Sequence, residues 1–509
     1  MKIIDKKKFH EYCRENKASI VIASAFLMIA YGIKLFQIVF SHDTEAIISV
    51  PESLYNSWMT MGRYGLIFLK KILGIYTFNP YLASVLMFLA MLGIVILWGY
   101  LFFALEENPG RYSKVSWIFP VIFLTTPMMA EQISFLLQAF EVCLAVLILG
   151  IVLPMIWHGI LTKKYLWYLP AILLSALIFS VYQTIVPLFI SGTAACFLVC
   201  YRKKSGSWWP VILQLIGNFG AGLLVYEIAN KIIMKVLGIT TTAYISDQLM
   251  WGTISASECV RNIWNHICQA VTGQGFYYSL SFGIAVVLAI LLLIYRRKKA
   301  TKEYYLYVIA TIVFLLTPFM MTILMGQEPK MRTQLGLGFV AGFYFQYGVI
   351  CFWKAEKKYI CRFACAVLCL AVIFSFHQCT KVADMFYTEY VQYQEDVRLA
   401  LKISNRIDML DLGESPEEPL VFVGARSPKL NNSSIRNLEN IGHSFFEWSF
   451  TTDYGSFIMR NFMASIGYYY NSPTTEQIEI AEQAAQNMEI WPASDSVSVV
   501  EGVIVVRLS

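Results

Sequence analysis

Two carboxylates stand just past the first long apolar run, in Ser41-His42-Asp43-Thr44-Glu45. A carboxylate at a bilayer edge, facing a cavity rather than open water, is placed to take a proton from a hydroxyl group. Asp43 and Glu45 are therefore the candidate general bases, against the plainer reading of a solvated loop with ordinary charges. The same polar segment continues through Glu52 and Trp58 to Gly62-Arg63-Tyr64-Gly65, and Trp58 is suited to line a sugar face. Far along the chain, Gly326-Gln327-Glu328-Pro329-Lys330-Met331-Arg332 sets a guanidinium at the mouth of an apolar run, where a charge is costly unless paired or hydrated. A guanidinium there holds a phosphate through two parallel hydrogen bonds. The rival is an interfacial arginine reaching out to lipid phosphates. Glu131-Gln132 and Tyr182-Gln183 fall at the turns of two apolar hairpins, and Glu227 and Asn230 near the end of another run. Lys231, four residues after Glu227, makes an ordinary helical ion pair the alternative there.

The templates of soluble enzymes are missing. No GxxxxGK[ST] supports a nucleotide-driven pump, and no HExxH, paired CxxC or GxSxG is present. What remains is polar chemistry at one face of a membrane.

The elements that must position it are apolar spans. The chain has 509 residues, of which 57% are hydrophobic and 15% charged, too apolar for a water-soluble globule or a disordered chain. Runs long enough to cross a bilayer lie at 18–40, 81–104, 115–130, 134–157, 166–182, 184–201, 209–236, 276–295, 303–325, 334–353 and 360–378, predicting eleven spans. The pairs 115–130/134–157 and 166–182/184–201 are short enough to be re-entrant hairpins instead. Six basic clusters test the count: Lys6–Lys8, Arg111 with Lys114, Lys163-Lys164, Arg202–Lys204, Arg296–Lys299, and Lys354 with Lys357-Lys358. Eleven spans put all six on the side of the N-terminus, which the positive-inside rule makes cytoplasmic. The first run is too long for a cleaved secretory signal and reads as an anchor.

Exterior segments are then 41–80, 237–275, 326–333 and the tail from 379, dividing the chain into a membrane unit, 1–378, and an exterior α/β domain, 379–509. Within 65–80, apolar residues at helical spacing beside Lys70-Lys71 predict a helix lying in the interface. Residues 380–509 hold nine basic and eighteen acidic residues, net −9. The remainder holds 31 and 16, net +15, a membrane pattern that does not call for nucleic acid. In the tail, residues 384–410 predict a helix, Leu420–Gly424 a strand, 474–488 a polar helix opened at Thr474, and 497–508 a hairpin turning at Glu501-Gly502. Of eleven cysteines, only Cys259 and Cys268 share an exterior loop where a disulfide is conceivable.

The order of these features resembles the bacterial type II glucosyltransferases that decorate O-antigen and related polymers, multi-span enzymes of the GT-C class. The basic N-terminus and first span, Asp43, Gly62-Arg63-Tyr64-Gly65, Tyr182-Gln183, Pro329-Lys330-Met331-Arg332 and a closing Trp491-Pro492 before a Val-rich hairpin carry the resemblance. Members often have two adjacent acidic residues in the first loop. Here His42 precedes Asp43 and Glu45 is displaced, so the base stays open between Asp43 and Glu45. The resemblance implies a GT-C-like polytopic fold in a bacterial inner or plasma membrane. It implies a polyprenyl-phosphate sugar donor, expected to carry glucose, and an exterior cell-envelope glycan as acceptor. Arg332, helped by Arg63 or Lys330, would hold the donor phosphate, while Glu131, Gln132, Tyr182, Gln183 and Trp58 would touch substrate. The leaving group is already a stabilised phosphate, so neither metal nor cofactor is expected. A lipid-linked glycan transporter or an envelope scaffold is the rival. The paired halves of a transporter are not visible in the sequence.

Overall fold

A computed structural model describes residues 3–106, 114–201, 207–239, 248–297, 304–355, 357–413, 416–427 and 438–509. Arg111, Arg202–Lys204, Lys298-Lys299 and part of the predicted 237–275 loop lie outside the described residues.

The N-terminal helix α1 (Lys6–Glu15) leads into α2 (Lys17–Phe36), the first apolar helix. Three short helices follow, α3 (Thr44–Ser49), α4 (Pro51–Thr60) and α5 (Tyr64–Ile72), then α6 (Pro80–Leu105), opened by the Asn79 side chain accepting from the Leu82 N–H. The expected run at 115–130 is broken into α7 (Ile118–Leu124) and α8 (Pro127–Ser134). Thr126 caps α8 through the Met129 N–H at 3.2 Å and Pro127 supplies its first turn, so the break is written in Thr125-Thr126-Pro127. Next come α9 (Leu136–Thr162), α10 (Tyr168–Val181), α11 (Ile185–Cys200), α12 (Trp209–Leu237), α13 (Ala256–Thr272), α14 (Leu280–Arg297), α15 (Tyr304–Leu316), α16 (Met320–Met325), α17 (Leu335–Trp353) and α18 (Lys358–Asp408). Among the described residues, eight helices are long and apolar enough to cross a membrane, and Tyr165–Val181 and Ile185–Cys200 are shorter apolar helices.

Helix α17 is enclosed by its neighbours over nearly its whole length. Glycine makes that possible: a Cβ on Gly342 would sit 2.7 Å from the Phe119 carbonyl of α7. The helix ends sort into two sets. At one end, Lys8 donates to Ala104 O (2.9 Å), Lys354 pairs with Glu106 (2.7 Å), and Arg296 donates to Tyr201 O (3.3 Å). At the other, Ser41 donates to Ser134 O (2.7 Å) and Arg63 to Gln183 (3.2 Å). The described basic clusters thus gather opposite the candidate site.

Two expectations need correcting. The 65–80 segment is helical only to Ile72, and Lys70 does not face the interface. It is buried and pairs with Glu141 of α9 at 2.7 Å. Cys259 and Cys268 are both free thiols on the single helix α13, which cannot fold back to join them.

No break marks the expected boundary at 378/379. The 51 residues of α18 run straight through it, at 1.5 Å per residue about 75 Å against a hydrocarbon core of about 30 Å. The projecting half carries the tail, where β1 (Leu420–Val423), β2 (Val497–Val500) and β3 (Val503–Arg507) form a sheet in the order β1-β3-β2. β1 runs parallel to β3 with Leu420 opposite Ile504, and β2–β3 is the expected hairpin, its turn made by Glu501 and Gly502 at positive φ. Helix α20 (Thr475–Ala485) begins at the capping box of Thr474 and Gln477. Helix α19 (Thr452–Ser465) was not foreseen.

Candidate active site

After α2 the chain leaves as an irregular segment, and Lys34 fixes it by donating to Val39 O at 3.0 Å. Asp43 then takes a left-handed conformation, φ 71°, which a side chain other than glycine adopts at a cost. That twist turns His42, Asp43 and Glu45 toward one cavity of about 300 Å3, whose wall also includes Trp58, Arg63, Arg332 and Tyr454. A second cavity, of about 510 Å3, is lined by the polar side chains of Arg63, Tyr182, Gln183, Lys330 and Arg332 and by the apolar ones of Leu249, Met321 and Leu324. Arg63 and Arg332 belong to both walls.

The two carboxylates are not equivalent. Glu45 is fully buried, and burial first, then the nearby charge of Asp43, holds its carboxyl well above the usual range. That environment favours its protonated form. The Asp43 side chain is half-exposed at the cavity. His42 lies between them, its Nε2 3.2 Å from Asp43 Oδ1 and its Nδ1 3.6 Å from Glu45 Oε1. Burial lowers the His42 pKa, which favours the neutral ring, and Nε2 also lies 3.4 Å from Tyr454 Oη, its hydrogen-bond partner. Stacking on Trp448 at 4.5 Å fixes its plane.

The cations are held as firmly. Arg63 donates to Gln183 at 3.2 Å and lies 5.0 Å from the Tyr182 ring centre, while Gln183 donates to Met61 O at 2.8 Å. The Tyr182-Gln183 turn therefore buttresses Arg63. Arg332 stacks 4.3 Å from the Phe135 ring centre and pairs with Glu439 at 3.4 Å. Its segment is anchored by Gln334, whose side chain meets His266 Nε2 and Tyr278 Oη, both at 3.0 Å. Among the described residues, no three His, Cys, Asp or Glu side chains converge as a metal site.

Most expected site residues come together: Asp43, Glu45, Trp58, Arg63, Tyr182, Gln183, Lys330 and Arg332 all line the joined cavities. Glu131 and Gln132 do not. Both are fully buried and line neither cavity. Glu131 accepts from Tyr277 Oη (2.7 Å), the Glu439 N–H (3.3 Å) and the Asn440 N–H (3.1 Å), clasping the tail to the helical unit. Glu227 is exposed on α12, and no ion pair with Lys231 forms among the described residues. Sequence reasoning missed Tyr454, Phe457 and Ile458 of α19, which close the first cavity.

The model of one protein family, described as Glucosyl transferase GtrII, matches residues 32–347. The chain belongs to that family. Comparison with curated proteins and with solved structures returned no significant match. The match takes in every cavity residue of this glucosyltransferase up to Arg332 and stops within α17, so Glu439 and Tyr454 come from outside it.

The Glu131 clasp gives the glucosyltransferase a pH signature. Burial raises this carboxyl from the ordinary 4.5 to about 7, against the hydrogen bond from Tyr277. The fold favours its neutral form, so its contribution to stability is complete below about pH 4.5 and is lost as the pH rises through about 7. Glu131→Gln stays neutral throughout and should flatten that window, removing a pH-dependent change of up to about 3 kcal/mol. Thermal unfolding in detergent across the window measures it.

Proposed function

We propose that this glucosyltransferase moves glucose from a polyprenyl-phosphate donor to a hydroxyl of a cell-envelope glycan, at the exterior face of a bacterial inner or plasma membrane. The observation that carries the reading is the shared wall: Arg63 and Arg332 stand between a polar cavity holding Asp43 and an apolar groove lined by Leu249, Met321 and Leu324. A lipid-linked donor has that anatomy. Its chain takes the groove, its phosphate the guanidiniums and Lys330, its sugar the polar cavity. Positive-inside orientation supports an exterior site, because the basic ends gather at the opposite end of the helices.

In the transfer step, the acceptor oxygen bonds to C1 of the sugar and its proton passes to Asp43. The bond from C1 to the phosphate oxygen breaks, and its electron pair leaves with the polyprenyl phosphate. Arg332 and Arg63 stabilise the charge gathering on that oxygen. His42 holds Asp43 in place. Trp58, Tyr454 and Phe457 offer aromatic faces to the acceptor.

The test is transfer of labelled glucose from the polyprenyl-phosphate donor to an envelope glycan by the purified protein. Failure to transfer with donor bound would favour the scaffold reading. Tyr454→Ala separates the two substrates. It is expected to raise the KM for acceptor about tenfold, the loss of one aromatic contact, and the KM for donor by less, because the donor's phosphate and lipid chain are held in the other cavity.

A further inference from the structure

Arg332 shares its place with a carboxylate. Glu439 Oε1 lies 3.4 Å from Arg332 Nη1, and Glu439 Oε2 accepts the Met331 N–H at 2.6 Å. Glu439 is itself pinned, for its backbone N–H donates to Tyr277 Oη at 2.7 Å and to Glu131 at 3.3 Å. The next residue adds two ties: the Asn440 side-chain amide donates to Ser41 Oγ at 2.6 Å and to Ser134 Oγ at 2.7 Å. A carboxylate is thus fixed beside Arg332, one of the two cations that line both cavities. Any phosphate bound by Arg332 shares the guanidinium with it.

A carboxylate there weakens the grip on anions in general. What it adds is discrimination between one negative charge and two. A sugar-linked polyprenyl phosphate is a diester with one charge. The carrier released by transfer is a monoester, whose second ionisation lies at about pH 6, so it carries close to two charges at neutral pH. The second charge appears near Glu439, at a partly desolvated site where like charges repel more strongly than in water.

We propose that Glu439 makes the phosphate anchor selective for the singly charged donor over the doubly charged product, so that spent carrier leaves instead of occupying the site. The proposal rests on the lipid-phosphate reading above and goes beyond it by assigning a tail residue to product release.

The test is binding, independent of turnover. A polyprenyl phosphate and its methyl ester, which differ by one charge, are titrated at pH 8 against the full chain in detergent. In the parent protein, the methyl ester should bind at least as tightly as the monoester. In Glu439→Gln, the monoester should tighten by about tenfold and the methyl ester by no more than about threefold. Glu439→Asp, which keeps the charge, should preserve the parent ratio. Equal tightening of both lipids, or no change in either, overturns the proposal and leaves the donor reading standing. So does a monoester bound about tenfold more tightly than its ester by the parent protein, a result that needs no variant to fold. If neither lipid binds the parent protein, the donor reading falls and this inference falls with it.

Discussion

Asp43→Asn is expected to cut glucose transfer by about a hundred- to ten-thousand-fold, the range a positioned general base contributes. Asparagine keeps the size but has no lone pair basic enough to accept the acceptor proton. On the proposed reading the donor phosphate is held by Arg63, Lys330 and Arg332, whose side chains the substitution leaves intact, so donor affinity should change little. The companion variant decides between the two carboxylates of the first loop. Burial and the charge of Asp43 push Glu45 toward its neutral form, so Glu45→Gln is the milder change and should keep most of the rate. Single-turnover transfer with saturating labelled donor measures both. If Glu45→Gln were the inactive protein and Asp43→Asn the active one, the base would be Glu45 and the burial argument would be wrong.

The residues that converge here were visible in the sequence for one physical reason. Asp43, Gln183 and Arg332 each lie at the end of an apolar run and Arg63 in the loop between two of them, and counting runs against basic clusters says which ends share a face. Long-range contact then follows from topology, because neighbouring spans leave little room at a common mouth. Partners supplied by packing were not visible. Lys70 read as a lipid-edge lysine because spacing shows which face of a helix it occupies, not that Glu141 of α9 would lie behind that face. Glu131 read as a turn residue open to substrate because residues 439 and 440, which cover it, lie some three hundred positions away. The capping box at Thr474 and the turn at Glu501-Gly502 are local signals and held. Helix α19 also has a local signal, Thr451 accepting from the Tyr454 N–H at 3.2 Å, but nothing local says that its Tyr454 and Phe457 would close the cavity.

Tyr454 and Phe457 of the tail line the first cavity, and one buried contact among those that join the tail to the helices can be tested alone. Lys34 of α2 meets Glu389 of α18 at 2.6 Å, and both side chains are almost completely enclosed. Lys34→Met leaves the carboxylate buried without its counter-charge, which is expected to cost about 3–5 kcal/mol of stability. Adding Glu389→Leu removes that orphan and should recover most of the loss, since a buried pair replaced by apolar groups is often neutral. Thermal unfolding in detergent distinguishes the two, and equal melting temperatures for the single and double variants would mean the pair carries no such penalty. Activity should not recover with stability. Lys34 also donates to Val39 O, which fixes the segment that leads to Asp43, and methionine cannot make that bond in either variant. The double variant should therefore fold like the parent yet transfer glucose more slowly, with the deficit in kcat rather than in the KM for donor, because the displaced group is the base and not the phosphate anchor.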